Sequence, residues 1–226
     1  MTRDLLIACS ELVKIYETAG VETLALLGLD LAVAPGERVA VFGPGGSGKT
    51  TLINILGGLE RPSAGQVWVD GRDLSKLTDA GLGRYRRETV GFVWQDSGRN
   101  LIPYLTALEN VELPMALAGR GGDRRERAEE LLARIGLASE RHSHLNCLST
   151  VQLQKLSIAA ALANGPKLLL ADEPTGEMDS GGAREVLNIL RSLAEQEAPT
   201  LILATHDVSV AETADTVLEL RDGQIV

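Results

Sequence analysis

A chain of 226 residues, 44% apolar and 23% charged, has an ordinary globular composition and is long enough for one sizeable core or a core with an inserted subdomain. A net charge of −9 argues against a nucleic-acid partner, whose phosphates would be repelled over the whole surface. Two distant cysteines, Cys9 and Cys147, give neither a disulfide framework nor a metal-ligand spacing and suit a reducing cytosol.

Nowhere does the sequence offer the roughly 18 consecutive apolar residues of a membrane span, and its start lacks the apolar region of a signal peptide. Work at a membrane is therefore expected to need another chain for the span. Near the N-terminus Leu24, Leu26, Leu29, Leu31 and Val33 approach a period of two, and Pro35-Gly36 closes the stretch. An antiparallel N-terminal sheet is predicted there. Tyr16 falls in a predicted loop over 15–20, where spacing alone fits a half-buried surface ring as well as a ligand-facing one.

Next, the apolar run Val39-Ala-Val-Phe42 breaks into Gly43-Pro44-Gly45-Gly46-Ser47-Gly48-Lys49-Thr50 and resumes as a helical pattern through Thr51, Leu52, Ile53 and Leu56. Strand, loop and helix in that order give the spacing G-x-x-x-x-G-K-[ST] the context it requires. Its glycines let successive backbone N–H groups face a phosphate chain without Cβ interference. Lys49 supplies a charge to the terminal phosphates, Thr50 offers a hydroxyl to Mg²⁺, and the helix points its positive end at the same anion. The helix is predicted to end at Gly57-Gly58, with a strand over 66–69 and a hairpin turn at Asp70-Gly71. Arg84, Arg86 and Arg87 read as the solvated face of a polar helix, and the β-rich 89–94 stretch delivers Gln95 at its tip.

From 97 to 164 the periodicity is helical. Two boxes mark helix starts, Thr106 with Glu109 and Ser149 with Gln152; Asp123 with Glu126 is a weaker third. Pro114 is expected to kink the first helix, and Gly165-Pro166 to stop the last. His142 and His144 are predicted surface residues on a loop. The run Lys167-Leu-Leu-Leu-Ala-Asp-Glu173 reads as a strand buried on both faces that opens into a site, and Thr200-Leu-Ile-Leu-Ala-Thr205 as a second one ending in His206-Asp207. Ala183, Val186, Leu187, Leu190 and Ala194 give the helix between them a 3.6-residue period, so a βαβ unit is predicted. A small hairpin across Asp222-Gly223 closes the chain.

Phosphoryl transfer to water needs a phosphate cradle, a metal, a group that orients the water, and charge stabilisation at the γ-phosphate. Asp172 is suited to accept from Mg²⁺-bound water, and Glu173 beside it to polarise the nucleophile. Gln95 and His206, each at a predicted strand tip, are suited to sense the γ-phosphate.

In chain order, Tyr16, the 43–50 loop, Gln95, Leu148-Ser149, Leu169-Leu-Ala-Asp-Glu-Pro174, Asp179 and His206 resemble an ABC transporter ATPase subunit over essentially the whole length. Gly57-Gly-Leu-Glu-Arg-Pro-Ser-Ala-Gly65, Leu105-Thr-Ala-Leu-Glu-Asn-Val111 and Ala171-Asp-Glu-Pro-Thr-Gly176 resemble the lipoprotein-releasing, macrolide-exporting and cell-division branch. The resemblance implies ATP and Mg²⁺ as ligands, with Thr50, Gln95 and Asp172 toward the metal. It implies that Tyr16 stacks on adenine, that the loop from Gly43 to Thr51 holds the phosphates, and that Glu173 is the catalytic base. Gln95 would also couple to the membrane partner, His206 would be the switch, and Asp179 would lie in the dimer-contact loop.

One departure stands out. The family signature Leu-Ser-Gly-Gly-Gln, which in the family caps the γ-phosphate held by the opposite subunit, reads here Leu148-Ser149-Thr150-Val151-Gln152. Ser149 and Gln152 can still cap a helix, but two β-branched residues replace the glycines that could approach a phosphate closely. Lys155 and Ala160 stand where the family usually has arginines. The expected fold is a mixed α/β P-loop ATPase core over 1–96 and 165–226, an antiparallel N-terminal sheet, and a helical subdomain over about 97–164. The expected function is ATP hydrolysis driving a separate transmembrane permease from the cytoplasmic face of the membrane, opposite a second, different ATPase chain. A homodimer in which Ser149 and Gln152 still reach the phosphate is the competing arrangement. A regulatory ATPase that signals through a membrane protein without moving substrate is the alternative function, and a nucleotide binder without turnover is disfavoured by Glu173 and His206.

Overall fold

The computed structural model describes residues 5–18, 20–119, 121–197 and 199–226. The chain runs through β1 (Ile7–Thr18), β2 (Val21–Val33), β3 (Arg38–Phe42), α1 (Lys49–Leu56), β4 (Ala64–Val69), β5 (Arg72–Asp73), α2 (Asp79–Thr89) and β6 (Val90–Val93). It continues through α3 (Ala107–Leu117), α4 (Arg124–Arg134), α5 (Thr150–Leu162), β7 (Leu168–Asp172), α6 (Ser180–Glu197), β8 (Thr200–Thr205), α7 (Val208–Ala211), β9 (Thr216–Arg221) and β10 (Gln224–Ile225). It divides into two compact units, Met1–Arg86 with Thr200–Val226, and Arg87–Pro199. The second unit takes in β6, β7 and α6 together with the helices expected over 97–164.

In the first unit, an antiparallel sheet has the order β2-β1-β4-β5, with Asp70-Gly71 turning β4 into β5 as the sequence predicts. The β1–β2 ladder runs from Ile7 opposite Val33 out to Thr18 opposite Val21. This corrects the expected loop over 15–20: Tyr16 lies within β1, opposite Thr23, because the pairing continues almost to the turn. Ala19 lies outside the described residues. β3 is parallel to both β8 and β9, and β10 returns antiparallel on β9. Val39, Ala40 and Val41 of β3 and all of β8 are buried, as a parallel strand covered on both faces must be.

α1 buries Leu52, Ile53, Ile55 and Leu56, each contributing about 1.5–3 kcal/mol by leaving water. From α2 the Tyr85 hydroxyl donates to Leu56 O, the last carbonyl of α1, and the Arg86 guanidinium to Gly58 O in the turn just beyond it, both at 2.6 Å. The predicted solvated arginine face is thus corrected at Arg86, which is half-buried and holds the turn after α1, while Arg84 and Arg87 are exposed.

In the second unit, β6 and β7 pair in parallel from Val90 opposite Leu168 to Val93 opposite Ala171, and every residue of β7 is buried. α5 packs against α3, α4, α6 and β6. So surrounded, it buries polar residues that each find a partner. The Gln154 amide donates to Trp94 O (2.8 Å), the Ser157 hydroxyl accepts from Asn100 Nδ2 (2.9 Å), and Lys155 pairs with Glu185 of α6 (2.9 Å). Thr106 and Glu109 form the predicted capping box at α3, which continues through Pro114; Asp123 makes no side-chain cap at α4. On α6 the buried stripe is Val186, Leu190, Leu193 and Ala194, with Ala183 and Leu187 only half-buried. The Glu197 carboxylate joins α6 to Arg127 and Arg134 of α4. Among the described residues no helix is long and apolar enough to cross a membrane.

Candidate nucleotide site

The phosphate loop begins where β3 stops. Phe42 is opposite Thr205 of β8, and the Gly43 N–H donates to the Thr205 carbonyl (3.2 Å), so the loop starts beside His206, which is exposed. Gly46 and Gly48 take φ of +79° and +106°, conformations that a side chain strains. Space decides two positions as well: a Cβ on Gly43 would lie 2.2 Å from the Leu220 carbonyl oxygen, and one on Gly48 2.4 Å from that of Ala25. The loop is braced from behind, because the Ser47 carbonyl accepts from Gly223 N–H (3.1 Å) and the Gly223 carbonyl accepts from Leu27 N–H (2.9 Å).

Inside the loop, the Lys49 ammonium donates to Gly43 O (2.7 Å) and Pro44 O (3.0 Å), with the residue only 6% exposed. Ser47 Oγ is buried without a hydrogen-bond partner among the described residues. α1 begins with Gly48 as its N-cap, no capping side chain and no acidic residue in its first turn. An orphan hydroxyl, a captive ammonium and uncapped helical N–H groups suit a phosphate chain. Thr50 is exposed on the first turn, where its hydroxyl is open to a metal ion. Tyr16 is carried to the same turn by β1: its hydroxyl donates to Glu60 Oε2 (2.6 Å) and lies 3.4 Å from Thr51 Oγ1. Burial, then the bond to Glu60, pushes the Tyr16 phenol above its ordinary range.

Gln95, Asp172, Glu173, Ser149, Gln152 and Asp179 belong to the second unit. Asp172 ends β7 buried, and Glu173 follows it with φ +46°, a left-handed conformation uncommon for a side-chain-bearing residue. Its carbonyl accepts from Gly176 N–H (3.0 Å). A Cβ on Gly176 would lie 3.0 Å from Gln95 Nε2, so Gln95 rests against the turn that follows β7. Strand register and this contact bring Gln95, Asp172 and Glu173 to one end of the β6–β7 pair. A carboxylate and an amide oxygen gathered at one strand end are hard donors of the kind that Mg²⁺ takes.

The altered signature is fully built. Ser149 and Gln152 make both bonds of a capping box on α5, at 3.3 and 2.9 Å. Asp179 caps α6, accepting from Gly182 N–H (2.8 Å). Between these caps sits Val151: a Cβ on Gly182 would lie 2.6 Å from Val151 Cγ2. The isopropyl group therefore rests on bare backbone at the start of α6. Gly182→Ala is expected to destabilise the protein by about 1–3 kcal/mol through overpacking, and to be close to neutral when combined with Val151→Gly. Chemical denaturation of the two single variants and the double variant checks this; additive effects would disprove the contact. Sequence reasoning did not single out Gly182, Gln154 or Glu60, although Glu60 lay within a quoted motif.

A family model described as ABC transporter matches residues 26–176. The chain belongs to the ABC transporter ATPase family. An "Uncharacterized ABC transporter ATP-binding protein" of Thermotoga maritima is 44% identical over 213 residues, 94% of this chain and 90% of the relative. A "Macrolide export ATP-binding/permease protein MacB" of Rhodopseudomonas palustris is 50% identical over 204 residues, but the chain spans only 31% of that relative's length. Among solved structures, the ATP-binding cassette MJ0796, a dimer in a post-hydrolysis state with ADP and Pi, superimposes with a TM-score of 0.88 at 38% identity, covering 97% of this chain and 96% of that one. As an ABC ATPase the chain binds ATP with Mg²⁺ and hydrolyses it.

Proposed function

We propose that this ABC ATPase works opposite a second, different ATPase chain, that the two ATP sites of the pair are unequal, and that the pair drives a transmembrane permease from the cytoplasmic face of the membrane. The observation that carries the asymmetry is Thr150-Val151 at the start of α5, beside nucleotide motifs that are complete. In this reading Tyr16 stacks on adenine, and Lys49 with the loop N–H groups holds the phosphates. Thr50, Gln95 and Asp172 serve Mg²⁺ directly or through water, and the metal neutralises charge on the phosphate oxygens. Glu173 polarises the attacking water, His206 senses the γ-phosphate, and Asp179 with Ser149 and Gln152 faces the other ATPase.

Each site in such a pair takes its phosphate loop from one chain and its signature helix from the other. Val151, seated on Gly182, cannot offer bare backbone to a phosphate, and Ser149 and Gln152 are committed to each other. Losing ~1.4–2.8 kcal/mol of transition-state stabilisation slows a site about ten- to a hundredfold. A homodimer would suffer this at both sites; a partner with an intact Leu-Ser-Gly-Gly-Gln confines it to one. Relatives named ATP-binding/permease proteins support the permease. The test is turnover of the chain alone, with its co-encoded ATPase, and with glycine restored at Thr150 and Val151. Slow turnover alone, raised roughly tenfold or more by the partner, is expected. Full cooperative turnover by the lone chain, unaltered by the glycines, would refute the asymmetric pair.

A further inference from the structure

The segment that follows α1 is laid along β1 directly beneath Tyr16. Glu60 N–H donates to the Asn54 carbonyl (3.2 Å), Ser63 N–H to the Val13 carbonyl (2.8 Å), and Ile15 N–H to Ser63 Oγ (3.0 Å). At its centre the half-buried Glu60 carboxylate gathers three donors: the Tyr16 hydroxyl at 2.6 Å, Asn54 Nδ2 of α1 at 2.8 Å, and the Lys14 ammonium at 3.2 Å. Lys14 also lies 4.8 Å from the centre of the Tyr16 ring, over one face, and donates to the Arg61 carbonyl (3.0 Å). Burial alone would raise the Glu60 carboxyl, yet the hydrogen bonds from Tyr16, Asn54 and Lys14 outweigh it and hold the group below its ordinary range.

We propose that Glu60 is a positioning residue for nucleotide binding: its carboxylate locks the Tyr16 ring, with one face occupied by Lys14, so that the other face is presented to a purine base. The inference rests on the reading that Tyr16 meets adenine. A phenyl ring on a solvent-facing strand would otherwise sample several rotamers, and ordering it would weaken binding. Here the ordering is done by the fold, since ring, carboxylate and α1 are tied at one point. Because the tie is to α1, it also sets the ring at a fixed distance from the phosphate loop. Glu60 touches neither base nor phosphate; it acts through Tyr16.

The experiment compares binding of Mg²⁺-ATP and of inorganic tripolyphosphate to the full chain and to Glu60→Ala, Glu60→Gln and Tyr16→Ala by calorimetry. Glu60→Ala is expected to weaken ATP about two- to tenfold, the factor for leaving one such side chain to be ordered on binding, with tripolyphosphate changed less than about twofold. Glu60→Gln should recover most of the ATP affinity. Its carbonyl can accept from Tyr16, and once the Asn54 amide turns over its own amide can donate to Asn54 Oδ1, which is buried without a partner among the described residues. If Tyr16→Ala weakens ATP and Glu60→Ala does not, the positioning role is overturned and the stacking role of Tyr16 stands. If Glu60→Ala weakens ATP and tripolyphosphate alike, Glu60 is a structural brace of α1 and the proposal fails. An ATP affinity unchanged in Tyr16→Ala overturns the stacking reading and this inference with it.

Discussion

Glu173→Gln is expected to leave ATP affinity almost unchanged and to lower turnover about 10²–10⁴-fold, the range for loss of a positioned general base. The substitution keeps size and hydrogen-bonding reach and removes only the ability to take a proton. Glu173 is delivered by β7, whose five residues are all buried, and it stands at φ +46° with its carbonyl held by the Gly176 N–H. A glutamate held in that conformation costs about 1–3 kcal/mol and persists only where its surroundings impose it, as at functional sites. Its interaction with the attacking water belongs chiefly to the transition state, so binding is spared while rate is lost. Nucleotide titration and steady-state turnover measured on the same variant decide the matter. Equal losses of affinity and rate would remove Glu173 from the role of base.

Lys49→Ala should do the opposite and remove most of the ATP affinity, by roughly 30- to 4,000-fold. That range corresponds to about 2–5 kcal/mol for truncating one partner of a buried, hydrogen-bonded charge pair. Lys49 is 6% exposed, and its ammonium lies on the Gly43 and Pro44 carbonyls, inside the curve of the loop. A phosphate chain entering that curve meets a full positive charge already desolvated and in place. Without it, the loop keeps its N–H groups and glycine geometry, since Leu220, Ala25 and Gly223 set these from outside. Thermal unfolding with and without Mg²⁺-ATP separates the two contributions: a midpoint near that of the unsubstituted chain without nucleotide, and a lost shift with it, are expected. A fall in affinity of less than about threefold would place the phosphates elsewhere.

Local signals carried the strands, the helix starts and the phosphate loop. Gly46 and Gly48 were legible as loop glycines because positive φ is a property of the residue itself, and the Ser149–Gln152 box because both its bonds close within one helical turn. β7 was legible because a strand buried on both faces must be apolar throughout. The change of two glycines to Thr150-Val151 was likewise plain in the sequence.

What those residues meet was not. Tyr16 was expected in a loop because β-propensity and turn residues do not say how far a ladder runs; the pairing with Thr23 decides it. Arg86 resembles its solvated neighbours in sequence, and only the arrival of the Gly58 carbonyl, in the turn after α1, gives it a buried partner. The sequence by itself determined that the chain is a P-loop ATPase with an altered signature, because those motifs are contiguous runs whose chemistry depends on neighbours along the backbone. Tertiary structure alone decided that Val151 rests on Gly182, that Gln154 holds the strand end before Gln95, and that Glu60 clamps Tyr16. Each joins residues 30 to 60 positions apart, and side chains so far apart in sequence meet only where packing of whole elements brings them.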